Sequence, residues 1–166
     1  MTVVHSFPAV LDDRADTLIL GSMPGIPSLA AGMYYANPRN SFWPIMGELF
    51  DAGPRQTYVQ RLRRLQDEGI ALWDVLKLCR REGSLDSSID PDSEVANDFA
   101  ALFERHPRIG RVFFNGAKAE HAYRRAVVAR GLHPESVAMA RLPSTSPANA
   151  GTPVADKLEA WRAVAR

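Results

Sequence analysis

Apolar positions along this chain fall into short clusters that switch between two periods. In "DTLILGSMPG", residues 17–20 read as a buried strand running into a Gly/Pro loop. Ser41 stands where it would cap a helix reaching about residue 50, with Pro44 tolerated in its first turn. A further helix is expected over 55–67, with Val59, Leu62 and Leu65 inward and its arginines outward. "GIALWDVL" is another short apolar run, "CRREGSLDSSIDPDSE" reads as loop, and 95–105 as a helix. The clearest unit is "RVFFNGAKAEHAYRRAVVAR". Its residues 112–114 form a buried strand, and Ala119, Ala122, Tyr123, Ala126 and Val127 lie on one helical stripe. "SVAMARLPSTSPAN" supplies a last strand and loop. "GTPVADKLEAWRAV" follows as a helix with Thr152 as cap and Pro153 at its first position.

Strands alternating with helices predict an α/β domain with a mainly parallel sheet and right-handed crossovers. Sites in such sheets form beyond the carboxyl ends of the strands. Those ends are "GSMPG", "WDVLK", "NGAK" and "STSPAN". With "GMYYANPRNSFWPIMG", a segment dense in aromatic rings and amides, they bring the polar residues to one rim.

Composition narrows the classes. The 166 residues suit one domain spanning 1–166; 46% hydrophobic and 23% charged is ordinary globular composition. A net charge of +1 gives no global field for nucleic acid or membrane, which argues against a histone-like binder but not against a local basic groove. Cys79 is the one cysteine, so a disulfide framework and a four-cysteine metal or iron–sulfur site are excluded. The four histidines show no metal spacing, and no metal is expected. No apolar run reaches the roughly 18–20 residues that span a bilayer, and "MTVVHSFPAV" lacks the pattern of a signal peptide. A cytoplasmic protein without a membrane partner is the expectation.

Several residues on the rim carry candidate chemistry. "GSMPG" is either a turn that lets backbone approach a ligand or simply a tight strand-to-loop turn. Tyr34 and Tyr35 are either stacking rings for a planar base, worth about 1–3 kcal/mol each, or core aromatics with tethered hydroxyls. Phe42 and Trp43 read as core at the start of a helix. Asn40 and Asn115 each offer a donor and an acceptor side by side. These match the N1–H and O6 edge of hypoxanthine or the N3–H and O4 edge of uracil, or they orient a water, or they serve loop hydrogen bonding. Asp74, after Trp73, is placed as acid, base, acceptor or strand-end residue.

"GSMPGIPSL", "YYANPRNSFW", "GIALWDVLKLC", "FFNGAKA" and "LPSTSPAN" occur in the order seen in the uracil-DNA glycosylase superfamily, which this chain resembles from residue 17 to its last helix. The nearest resemblance is to the hypoxanthine-DNA glycosylase branch, family six. Mismatch-specific branches carry a catalytic asparagine where this chain has Met23, and the familiar uracil enzymes carry a histidine where it has Ser144. The resemblance implies a three-layer α/β/α sandwich around a four-stranded parallel sheet, with Asn40 and Asn115 acting together in catalysis.

It further implies flipping of a deaminated base out of single- or double-stranded DNA and hydrolysis of its glycosidic bond by a monomer, with no cofactor. Tyr35 would stack on the base, with Asp74, Met23 and the turn Gly21, Ser22 and Pro24 lining base and water. Ser144, Thr145, Ser146, Ala148 and Asn149 would face the DNA, with Ala148 where many members carry a bulky wedge. The rivals are a uracil- or mismatch-specific enzyme of the same fold, a damaged-DNA-binding domain without activity, and an unrelated nucleotide-binding domain.

Overall fold

A four-stranded parallel sheet forms the centre of the computed structural model, which describes residues 2–166. In spatial order its strands are Ile70–Asp74 (β3), Thr17–Gly21 (β2), Arg111–Asn115 (β6) and Ala138–Leu142 (β7). β2 lies between two neighbours and is covered on both faces, so all five of its residues are buried. That is why its sequence is continuously apolar rather than alternating.

Successive strand side chains point to opposite faces, and two cores result. On one face Leu18, Leu20, Val112 and Phe114 pack against Phe99 and Leu102 of Phe99–Arg105 (α4) and Ala119, Ala122 and Tyr123 of Ala117–Tyr123 (α5). On the other, Ile19, Leu72 and Phe113 meet Phe42, Trp43 and Met46 of Phe42–Phe50 (α2), Leu65 of Tyr58–Asp67 (α3) and Trp161 of Val154–Trp161 (α6). The three layers agree with the architecture anticipated from the sequence.

Several local expectations are corrected. The short apolar run "GIALWDVL" is divided between two strands. β3 ends at Asp74, and Leu76–Arg81 (β4) joins Thr2–His5 (β1) and Val95–Ala96 (β5) in a separate antiparallel sheet. Residues 79–81, read as loop, are therefore strand. α4 begins at Phe99 rather than 95, because Val95 and Ala96 pair with β4 and the Asp98 side chain accepts the Ala101 N–H at 3.0 Å. α3 starts behind a Thr57–Gln60 capping box instead of at 55, and Val59, expected inward, is 65% exposed. α6 starts at Val154 with Pro153 before it; Thr152 donates its hydroxyl to Asn149 Oδ1 and is not the cap.

The loop after β2 holds a short helix, Ile26–Ala31 (α1), and α5 widens into a π turn over Arg124–Val128. Among the described residues, no helix is long and apolar enough to cross a membrane.

Candidate active site

β2 and β3 end in register, which sets Gly21 directly beside Asp74, while Asn115 closes the neighbouring strand β6. A Cβ on Gly21 would lie 2.5 Å from Asp74 Oδ1 and 3.2 Å from the Tyr35 hydroxyl, so only glycine lets these two groups approach. At Gly116, φ is +95° and a Cβ would lie 3.0 Å from Ser144 Cβ, which holds the turn after Asn115 against the last loop. These ends floor a cleft of about 1150 Å³. Every residue named above for base or DNA binding lines it, from the turn at 21–24 to the loop at 144–149.

Asn115 is locked. Its Oδ1 accepts the Thr145 N–H and its Nδ2 donates to Thr145 Oγ1, both at 2.9 Å. Because a backbone N–H can only donate, the amide has one orientation. The other N–H of Asn115 is left for the Tyr35 hydroxyl and the cleft that both residues line. Thr145, placed with the DNA-facing residues from the sequence, is 1% exposed and works as this clamp. Its carbonyl also accepts the Ser41 N–H at 3.0 Å, tying the last loop to the start of α2.

Asn40 takes the capping role anticipated for Ser41. Its Oδ1 accepts the Phe42 N–H at 2.9 Å, and Ser41 makes no side-chain capping bond. The Nδ2 hydrogens of Asn40 have no protein partner among the described residues and are available to the cleft.

Tyr34 and Tyr35 take different roles. Tyr34 is core, 3% exposed, donating its hydroxyl to Pro8 O. Tyr35 has φ +54°, a left-handed conformation that persists only where surroundings over-determine it. Its neighbours do so: Trp43 Nε1 donates to Tyr34 O, and the Ala36 N–H donates to Ser28 Oγ. Its ring stacks on Phe42 with centroids 3.9 Å apart. Burial and then the Asp74 charge hold the Tyr35 phenol well above its usual pKa, with the Asn115 amide partly offsetting this. It stays a neutral hydroxyl.

Asp74 is the electrostatic centre. Burial, followed by repulsion from Asp86, pushes its carboxyl up to about 7, and Arg81 opposes the shift. Among the described residues Oδ2 is buried with no hydrogen-bond partner, as is Arg81 Nη1. Arg81 is spent on the backbone instead, donating to Pro24 O at 2.6 Å and Gly83 O at 2.8 Å. Ser22 donates to Asp86 Oδ1 at 2.6 Å, and Met23 is buried beside it in the cleft wall.

The last loop is internally stapled. Ser144 and Ser146 hydroxyls accept the Ser146 and Ala148 N–H groups, and Asn149 Nδ2 donates to Ser144 O. Lys157, buried with its pKa lowered by that burial, donates to Ser146 O. These amides are thus already occupied within the loop. The cleft's own cations are Arg39 and Arg141, both exposed. Sequence reading singled out neither, nor the segment 84–87 on the cleft's other wall. The only signal for them was proximity in space.

The uracil DNA glycosylase superfamily model matches residues 8–165. A relative from Methanosarcina acetivorans named hypoxanthine DNA glycosylase is 42% identical over 118 residues, covering 70% of this chain and 73% of that protein. One of the same name from Methanosarcina barkeri is 40% identical over 116 residues, or 69% and 72% of the two chains. A solution NMR structure of a candidate uracil DNA glycosylase from Methanosarcina acetivorans superposes with a TM-score of 0.80 at 36% identity, over 98% of this chain and 96% of that one. The chain belongs to the uracil DNA glycosylase superfamily.

Proposed function

We propose that residues 1–166 form one DNA glycosylase domain that excises hypoxanthine, with Asn40, Asn115 and Asp74 as the groups that touch base or water. The observation that carries this reading is the convergence of a locked amide, an amide with free N–H groups and a buried carboxyl with its pKa pushed up to about 7 in one cleft. A buried carboxyl on the floor repels phosphate but suits an uncharged base, while the exposed Arg39 and Arg141 suit the phosphates outside.

The reaction joins a water oxygen to C1′ and releases the C1′–N9 bond pair with the base; one water proton ends on the departing base. Negative charge on that base is stabilised by fixed donors. Asn115 supplies one through its remaining N–H, directed at O6. Adenine places an amine there, so donor would face donor and a buried polar group would go unpaired. Asp74 in its protonated form supplies another. Asn40, lining the same cleft as the Gly21 to Pro24 turn, holds the water. The Tyr35 ring, propped by Phe42, stacks on the base. The names of the two relatives support hypoxanthine as the base.

The test is release of free base from matched oligonucleotides carrying one deoxyinosine or one deoxyuridine. Hypoxanthine release that collapses in Asn40→Ala and Asn115→Ala supports the reading. Release of uracil alone replaces it by a uracil enzyme, and release of neither, with DNA binding retained, replaces it by a binding domain.

A further inference from the structure

We infer that Leu85 is the wedge that enters the base stack when the nucleotide leaves it. This rests on the base-flipping reading of the cleft. Leu85 is 53% exposed, and of the large exposed apolar side chains in the described residues it alone lines the cleft. Met23 and Leu142 also line it but are 7% and 5% exposed and belong to the cores. Ala148, on the last loop, is exposed but offers only a methyl group.

The tip that carries Leu85 is anchored on both sides. Ser84 Oγ accepts the Ile26 N–H at 2.8 Å, and Asp86 Oδ1 accepts the Ser22 hydroxyl at 2.6 Å. Arg81 Nε holds Gly83 O, and the Ser88 N–H returns to Leu85 O at 3.0 Å. Leu85 is therefore braced against the same turn, 21–26, that floors the base site. A rigid support is what an aliphatic side chain needs to push stacked bases apart.

The charge pattern points the same way. Residues 82–90 contain Glu82, Asp86 and Asp90 and no Lys or Arg. Such a segment is unsuited to gripping phosphates. An apolar tip among acids fits the uncharged interior of the stack.

The test uses Leu85→Ala and Leu85→Met in the full chain, on the same hypoxanthine oligonucleotide as duplex and as single strand. A wedge matters only where there is a stack to refill, so Leu85→Ala should lose ~10-fold or more on duplex and stay within about 2-fold on the single strand, with Leu85→Met close to wild type. A second readout needs no excision: 2-aminopurine beside a tetrahydrofuran abasic analogue in duplex should brighten when wild type binds and not when Leu85→Ala binds. Equal losses on both substrates, an unchanged duplex rate, or unchanged brightening with Leu85→Ala would each overturn the wedge. If wild type brightens the probe but releases no hypoxanthine, the choice of base is overturned and the wedge stands.

Discussion

Thr145 holds the Asn115 side chain by both ends, giving its backbone N–H to Oδ1 and taking Nδ2–H on its hydroxyl, each at 2.9 Å. The two residues are 30 positions apart, and the pair joins strand β6 to the last loop. The lock decides which edge Asn115 can show a base.

Thr145→Val keeps the shape and the backbone bond but removes the hydroxyl. The freed Nδ2–H then lets the amide tilt. Excision of hypoxanthine should fall ~10-fold or more, and an unpaired buried group should cost about 1–3 kcal/mol of stability. Thr145→Ser should retain most of both. Single-turnover rates on inosine DNA, with urea unfolding alongside, check this.

Asn40 has two jobs that substitution separates. Asn40→Ala removes the helix cap, worth about 1 kcal/mol, and the free amide donor together. Asn40→Asp keeps an oxygen for the Phe42 N–H and places favourable negative charge at the start of α2, but has no N–H. It should unfold like wild type while the rate drops roughly 100-fold, the scale of losing one positioned donor. Normal activity in Asn40→Asp would rule out a role for the amide N–H.

The carboxyl of Asp74 predicts a pH signature. Its pKa is raised in the folded protein, to about 7 from 3.8, so between those values the folded state binds more protons than the unfolded. Stability from this group is full below pH 3.8 and is lost as pH rises through 7. Asp74→Asn should therefore be more stable than wild type at pH 8, on the order of 1–3 kcal/mol, with the gap closing near pH 4. Excision by wild type should fall as pH rises through about 7, where the donor proton is lost, and Asp74→Asn should lack that inflection. Parallel denaturation and rate profiles measure both.

Gly21→Ala would drive a methyl group into Asp74 Oδ1, 2.5 Å from its ideal position. The strand must shift, at about 1–3 kcal/mol, and the base site shifts with it. Gly21→Ala together with Asp74→Ala should cost clearly less than the sum of the two singles, because the smaller residue makes room. Additivity in a double-mutant cycle would refute the contact.

Local pattern carried much of this protein. The run "TLIL", the strand "VFF" before Asn115 and the stripe Ala119, Ala122, Tyr123 and Val127 are readable because neighbours in the chain share one strand or helix, whose period shows in the residues themselves. The rim was legible too, since parallel strands must end on the same side. Errors came where two elements compete for one stretch. "IALWDVLKL" is apolar but for Asp74 and Lys77, and nothing in it says that Val75 turns the chain into a second sheet, because the partner that decides this, β1, lies about 70 residues earlier.

The sequence by itself determined an α/β chain with Asn40, Asp74 and Asn115 on one rim, because strand and turn chemistry are local. Only the tertiary structure decided what those groups can do. The register that puts Gly21 beside Asp74, the burial that raises the pKa of that carboxyl and the Thr145 clamp on Asn115 all depend on contacts between residues distant in the chain. So does the place of Leu85 at the cleft. Orientation, protonation and reach are properties of an environment, and the environment exists only once the chain has folded.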